Sequence, residues 1–329
     1  MKASTAASPN VACNFMTTII SKRHIFKFYF SIIFGTLFFL GIATVLLFTY
    51  NNERDKGNLN PKAQIMPIFI IACYAFAGYS LYRYLKNAPT IKLDKDFINF
   101  NSQTFSLTDI TKIELTGKRP FKYAVNFPME AATLTFNSGE TKYIFDDMYS
   151  NSWEIKSFLK QVVIDKKQFL QSNNSPIDKD AVASDFYETF KGNQLTSLRG
   201  ISLWGLIGLF VYMVINNKRP VHIGSVLFVS GSSLFWFIGL SFQMHYFQVS
   251  DNYFLIRNHN FFWKKKAYNI ADIKEIVFET QGKMPNCLRV ITKDFRNKLY
   301  PAGTLRDQNW LALKDKLETY KVKVRNECI

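Results

Sequence analysis

Grouped chemistry is what this sequence lacks. Its four cysteines, Cys13, Cys73, Cys287 and Cys328, make no CxxC pair and no Cys/His cluster. That pattern excludes a disulfide framework, leaves zinc without a ligand set, and suits domains kept in a reducing compartment. The four histidines, His24, His222, His245 and His259, are scattered. His222 and His245 flank the last long apolar run, where interfacial packing is their expected role. No Ser/His/Asp grouping, HExxH, P-loop or paired-carboxylate arrangement is present. Acidic residues are scarce as well: 25 Asp and Glu stand against 41 Lys and Arg, for a net charge of +16. Such an excess points to nucleic acid or to an anionic membrane surface. No nucleic-acid-binding motif is recognisable. The chain therefore reads as non-enzymatic, with no cofactor, no metal and no nucleic-acid partner.

Charge is missing from the central parts of four apolar runs, and those runs organise the chain. Residues 28–50, about 23 without a charge, are long enough to cross a hydrocarbon core of about 30 Å. Lys22, Arg23, His24 and Lys27 precede this run. It is too long for a signal-peptide core and no A-x-A-like site follows, so a retained anchor is expected. Residues 51–62 form a polar connector, and 65–85 form the second run, with Pro67 placed in the first helical turn. Tyr79, Tyr82 and Tyr84 suit an interfacial belt, with Arg83 and Lys86 reaching the headgroups. Residues 201–215 and 221–242 make the second pair, joined by 216–220; the third run is near the lower length limit. Gly205, Gly208, Gly224, Gly231 and Gly239 either allow close helix approach or reflect ordinary membrane-helix composition. Without a central Asp, Glu, Lys or Arg the runs offer no ion or proton path, which argues against a transporter.

Between and after these pairs the periodicity shifts to strands. Residues 1–27 read as an N-terminal tail, loose over residues 1–20, 28–86 as the first transmembrane hairpin and 89–165 as a small α+β module. The module has short strands near residues 91–93, 97–100, 113–115, 133–136 and 142–145. Ser150 or Asn151 then caps an amphipathic helix carrying Trp153, Ile155, Phe158, Leu159 and Val162. Residues 166–199 read as a linker ending in an interfacial helix that presents Phe186, Phe190, Leu195 and Leu198. The second hairpin follows at 200–243, and a second module at 246–329 ends in a helix from Trp310 to Tyr320.

The halves align on physical anchors. Asp109-Ile110-Thr-Lys-Ile113 matches Asp272-Ile273-Lys-Glu-Ile276, and Tyr143 and Tyr300 each stand ten residues before a helix-opening Trp. Each half thus reads as a membrane hairpin followed by a module, a duplicated unit. Lys22, Arg23, Lys27, Arg83, Lys86 and Lys92 place the modules on the cytoplasmic side of the inner membrane. Arg54, Lys56 and Lys62, with Lys218 and Arg219, weigh against that orientation.

At residues 253–276 the chain resembles the bacterial pleckstrin-homology-like family. The resemblance rests on a short strand (Phe254 to Arg257), a turn, a basic strand (Lys264 to Tyr268) and the I-x-D-I-x-x-I pattern at Ile270 to Ile276. Leu107 to Ile113 repeats the last element with Leu in the first place. The resemblance implies a bent antiparallel sheet closed by a C-terminal helix in each module. In the first copy the turn is reduced to Asn101-Ser102-Gln103.

The sharpest local feature is the turn Phe261-Phe262-Trp263-Lys264-Lys265-Lys266, with Arg257 nearby. Aromatic residues favour the membrane interface, and each Lys near an anionic surface contributes about 1 kcal/mol. One reading is therefore a contact with anionic headgroups or with another membrane protein. The other is a hairpin whose Trp263 fills the core and whose lysines form a solvated face, with Lys264 and Lys266 on one side and Lys265 on the other. The function expected is a docking, assembly or headgroup-contacting scaffold in the bilayer. Alternatives are a transport or membrane-remodelling subunit acting through the four spans, and a divergent membrane enzyme.

Overall fold

A computed structural model describes residues 18–57, 61–123, 126–170, 177–216, 222–282 and 284–328. Expectations for residues 1–17 and for most of the 216–220 connector lie outside them. The chain divides into two compact units, Met1–Leu170 and Gln171–Ile329. Four helices are long and apolar enough to cross a membrane, two in each unit. Their large apolar side chains point outward, as lipid-facing ones would; Phe34, Phe48, Ile68 and Phe228 are all exposed.

In the first unit, β1 (Thr18–Ile20) leads through a π-helical turn, Ile25–Phe30, into α1 (Ser31–Asp55). The helix runs five residues beyond the apolar stretch and ends where Gly57 takes the left-handed conformation, φ 67°. It therefore absorbs part of the expected connector. α2 (Pro61–Asn87) returns, packed on α1 through Phe39 and Phe76 at 4.7 Å. Because α2 starts at Pro61, Pro67 sits nearly two turns inside it rather than in its first turn.

Then come β2 (Ile91–Asp94), β3 (Phe97–Phe100), β4 (Gln103–Ser106), β5 (Ile110–Glu114), β6 (Lys118–Lys122), β7 (Asn126–Phe136), β8 (Thr141–Phe145) and α3 (Ser152–Leu159). One antiparallel sheet runs β1-β2-β3-β4. In the other, β7 pairs with β5, β6 and β8. Alternation decides which faces are buried: Ile91 and Leu93 face inward while Lys92 is exposed.

The stretch expected to be loose ends in a strand, at Thr18–Ile20. Ile19 is buried in β1, and the segment after it is stitched down by Asn151. Asn151 Oδ1 accepts from the Lys22 amide at 2.7 Å and its Nδ2 donates to the Ile20 carbonyl at 3.0 Å. The residue stands at the N-cap position of α3, where its side chain accepts from no helix amide, and its Nδ2 also donates to Glu154 of the helix at 3.2 Å.

In the second unit, α4 (Lys179–Ser184) and β9 (Glu188–Phe190) precede α5 (Leu198–Ile215) and α6 (Ile223–Ser241). No interfacial helix runs through residues 186–198. Phe190 is buried in a strand, while Phe186, Leu195 and Leu198 are exposed. A helical spacing of four apolar residues was outweighed by strand pairing of Glu188–Phe190 with residues 247–249. α5, at 18 residues, extends about 27 Å. Gly205, Gly208, Gly224, Gly231 and Gly239 have open space where a Cβ would stand, so they do not bring α5 and α6 together. Instead Leu203, Leu240 and Met244 close the pair, with Trp204 on Phe237.

The remaining elements are β10 (His245–Val249), β11 (Tyr253–Asn258), β12 (Lys265–Asn269), β13 (Ile273–Thr280), β14 (Asn286–Thr292), β15 (Asn297–Pro301), α7 (Asp307–Thr319) and β16 (Lys323–Asn326). The sheets run β9-β10-β11-β12 and β15-β14-β13-β16, the last pair parallel. Trp310 of α7 is fully buried against Phe278 at 4.8 Å and Phe247 at 5.7 Å, so it touches both sheets. Truncating such a side chain to Ala costs about 3–5 kcal/mol.

The D-I-x-x-I segments have the same internal geometry in both units. Each follows a 3-10 turn, Leu107–Asp109 or Ile270–Asp272. Each strand carries a register shift just after its first residue, at 110/112 and at 273/275. Each aspartate carbonyl accepts one loop amide at 2.8 Å, Asp109 from Asn137 and Asp272 from Lys293.

Candidate membrane-interface site

The 258–266 segment joins β11 to β12 and lies against the end of α6. Ser241 is the last residue of that helix, and its carbonyl accepts the Met244 amide, at 3.1 Å, in the turn that leaves the helix. The Asn258 Nδ2 donates to the same carbonyl at 2.7 Å. The Oδ1 of Asn258 accepts from the amides of Asn260, at 3.0 Å, and Phe261, at 2.9 Å, folding the turn back on itself. Asn260 Nδ2 donates to Ser241 Oγ at 2.6 Å, and Gln194, ahead of α5, donates to Asn260 Oδ1. One polar clasp thus holds together the approach to α5, the exit of α6 and the hairpin tip. Gly192 makes the approach possible: a Cβ there would stand 1.5 Å from the Thr304 carbonyl oxygen.

Beyond the clasp the aromatic residues divide. Phe261 is 8% exposed and packs under Phe242, at 5.1 Å, and Phe237, at 6.3 Å. Phe262 and Trp263 are 75% and 63% exposed, their rings set nearly perpendicular at 5.0 Å. Trp263 therefore does not fill the core; Phe261 does. Lys264 precedes β12, so strand alternation does not govern it. Its Nζ lies 4.0 Å from the Phe242 ring centroid and 4.7 Å from that of Phe261. Lys265 pairs across the ladder with Arg257, and Lys266 lies over Tyr268 at 5.6 Å. Among the described residues none of Arg257, Lys264, Lys265 and Lys266 forms an ion pair.

Two histidines sit behind the tip. His259 Nε2 meets Thr304 Oγ1 at 3.2 Å, and burial, with Lys191 and His245 adding to it, pushes its pKa down to about 4. His245 is also lowered, chiefly by burial. Both imidazoles are neutral at pH 7.

All seven residues singled out in the sequence lie in one hairpin. The residues that aim it, Gln194, Ser241, Phe242, Asn258 and Asn260, were not singled out. The Asn258-His-Asn260 stretch is itself a turn signature and marked where the tip bends. Among the described residues no group of His, Cys, Asp and Glu is arranged to hold a metal ion. Compared with known proteins, the chain matches no family model and no curated relative.

Proposed function

We propose that this chain is a non-enzymatic, multi-pass protein of the cytoplasmic membrane. It displays two pleckstrin-homology-like modules at the cytoplasmic face and acts as a scaffold whose second module touches anionic headgroups. The observation that carries the reading is the tip itself. Exposed Phe262 and Trp263 follow Phe261, which packs on Phe242 at the end of an apolar helix, and the same hairpin carries four cations that form no ion pair among the described residues. Aromatic rings at the end of a span and lysines within reach of headgroups are the two features that favour an interface.

The shared bulge, 3-10 turn and aspartate contact of the D-I-x-x-I segments support a duplication. The five Lys and Arg at residues 22–27 and 83–86, against Arg54, Lys56 and Lys62 in the connector, support the cytoplasmic orientation. A transport reading has less to rest on, since the contacts that close each helical pair are aromatic and aliphatic.

The test uses the full chain in bilayers containing spin-labelled anionic or zwitterionic lipids. Preferential association of the anionic lipid is expected. It should weaken several-fold in Lys264→Ala/Lys265→Ala/Lys266→Ala and in high salt. A preference unchanged by both would remove the headgroup reading.

A further inference from the structure

The first unit carries an aromatic hairpin that has no equivalent in the second. Between Glu114 and its ladder partner Thr133 lie 18 residues, while between the corresponding Val277 and Arg289 lie 11. The extra length forms the outer part of the β6–β7 hairpin, which pairs from Lys118 and Glu130 out to Lys122 and Asn126.

This hairpin runs along α2. Phe121 packs on Tyr84 at 5.3 Å, and Tyr123 touches both Tyr84, at 5.5 Å, and Phe76, at 6.3 Å. The Tyr123 hydroxyl donates to Ser80 Oγ at 2.7 Å. Ser80 lies three residues before Arg83, about 4.5 Å along the helix, and Phe76 lies about 10 Å before it. Arg83 and Lys86 are the charges that close the apolar stretch, so the Tyr123 ring reaches its apolar side, while the Lys122 carbonyl accepts from Asn87 Nδ2 just past those charges. The paired hydroxyls satisfy each other where water is scarce. Phe127, opposite Phe121 in the ladder, remains 43% exposed, and Lys122 beside it is exposed as well.

We propose that the β6–β7 hairpin is a membrane-inserted wedge, with Phe127 at the acyl boundary and Lys122 reaching back to the headgroups. Its partner is the lipid bilayer. The surface is continuous with the outward-facing apolar side chains of α2, and the depth follows from the contacts with Phe76 and Ser80. The inference rests on the reading that α2 crosses a membrane.

The experiment takes the full chain with its native cysteines replaced by alanine and a single nitroxide-labelled cysteine. Phe127→Cys and Asn126→Cys report on the hairpin, Phe69→Cys on an exposed apolar position of α2, and Ser138→Cys on an exposed turn. In vesicles of phosphatidylcholine and phosphatidylglycerol, collision rates with oxygen and with a water-soluble nickel chelate give depth. Residues 69, 126 and 127 are expected to favour oxygen and residue 138 the chelate. Chelate-accessible labels at 126 and 127, with 69 still in lipid, overturn the wedge and leave the spans intact. A chelate-accessible label at 69 overturns the reading on which it rests.

Discussion

The side chain of Asn258 closes the carbonyl of Ser241 at 2.7 Å, and both residues are buried. Through that bond a hairpin of the second module is registered on the last residue of a long apolar helix. Its tip cannot drift from the helix end without breaking this bond and the one from Asn260 Nδ2 to Ser241 Oγ.

Asn258→Ala removes one donor and one doubly used acceptor at once. A buried polar group left without its partner costs about 1–3 kcal/mol. The full chain in detergent should therefore unfold at lower temperature, and Trp263 fluorescence should report a loosened tip. An unchanged midpoint would show that the clasp contributes nothing to the fold.

Asn151→Ala tests the N-terminal strand in the same way. The carboxamide bonds to Lys22 and Ile20 are lost, so a destabilisation of about 1–3 kcal/mol is expected. The distinguishing readout is hydrogen exchange, which should accelerate at residues 19–22 more than at the α1 amides. Protection retained there would mean that β2 and the Ser150 amide hold the segment without Asn151.

Two glycines should behave oppositely. A Cβ at residue 192 would collide with the Thr304 backbone, whereas nothing lies within 4 Å of the Cβ position at Gly205. Gly192→Ala should cost about 1–3 kcal/mol through overpacking. Gly205→Ala, in an open helical position, should leave the unfolding midpoint unchanged or raise it slightly. Equal effects would contradict the placement of the 191–196 loop.

Acid should weaken the second unit through His259. Its folded pKa, about 4, lies below the ordinary value of 6.5. Between those values the unfolded chain binds more protons than the folded one, so stability is full above about pH 6.5 and is lost as pH falls towards 4. His245, also lowered, acts in the same direction. His259→Asn should flatten the pH dependence of the unfolding midpoint over this window. An unaltered slope would place the titration elsewhere.

Much of the architecture was legible because its signals are local. An uncharged run of about 23 residues announces its length whatever surrounds it. Strand alternation at 91–93 and the turn at Gly139 likewise depend on near neighbours. Three expectations failed where a distant partner decided the outcome. Thr18–Ile20 is too short to read as a strand until β2 lies beside it. Phe190 entered a ladder because β10, more than fifty residues later, offered an edge. Trp263 faces outward because Phe237 and Phe242 accept Phe261 in its place.

By itself, then, the sequence determined four apolar helices, two strand-rich modules and a basic aromatic turn, since hydropathy, alternation and turn chemistry are properties of short stretches. Only the tertiary structure decided which aromatic is buried, which asparagines tie the tip to Ser241, and that the β6–β7 hairpin runs along α2. Those outcomes depend on contacts between residues far apart in the chain, and no local pattern encodes which of several suitable partners will be within reach.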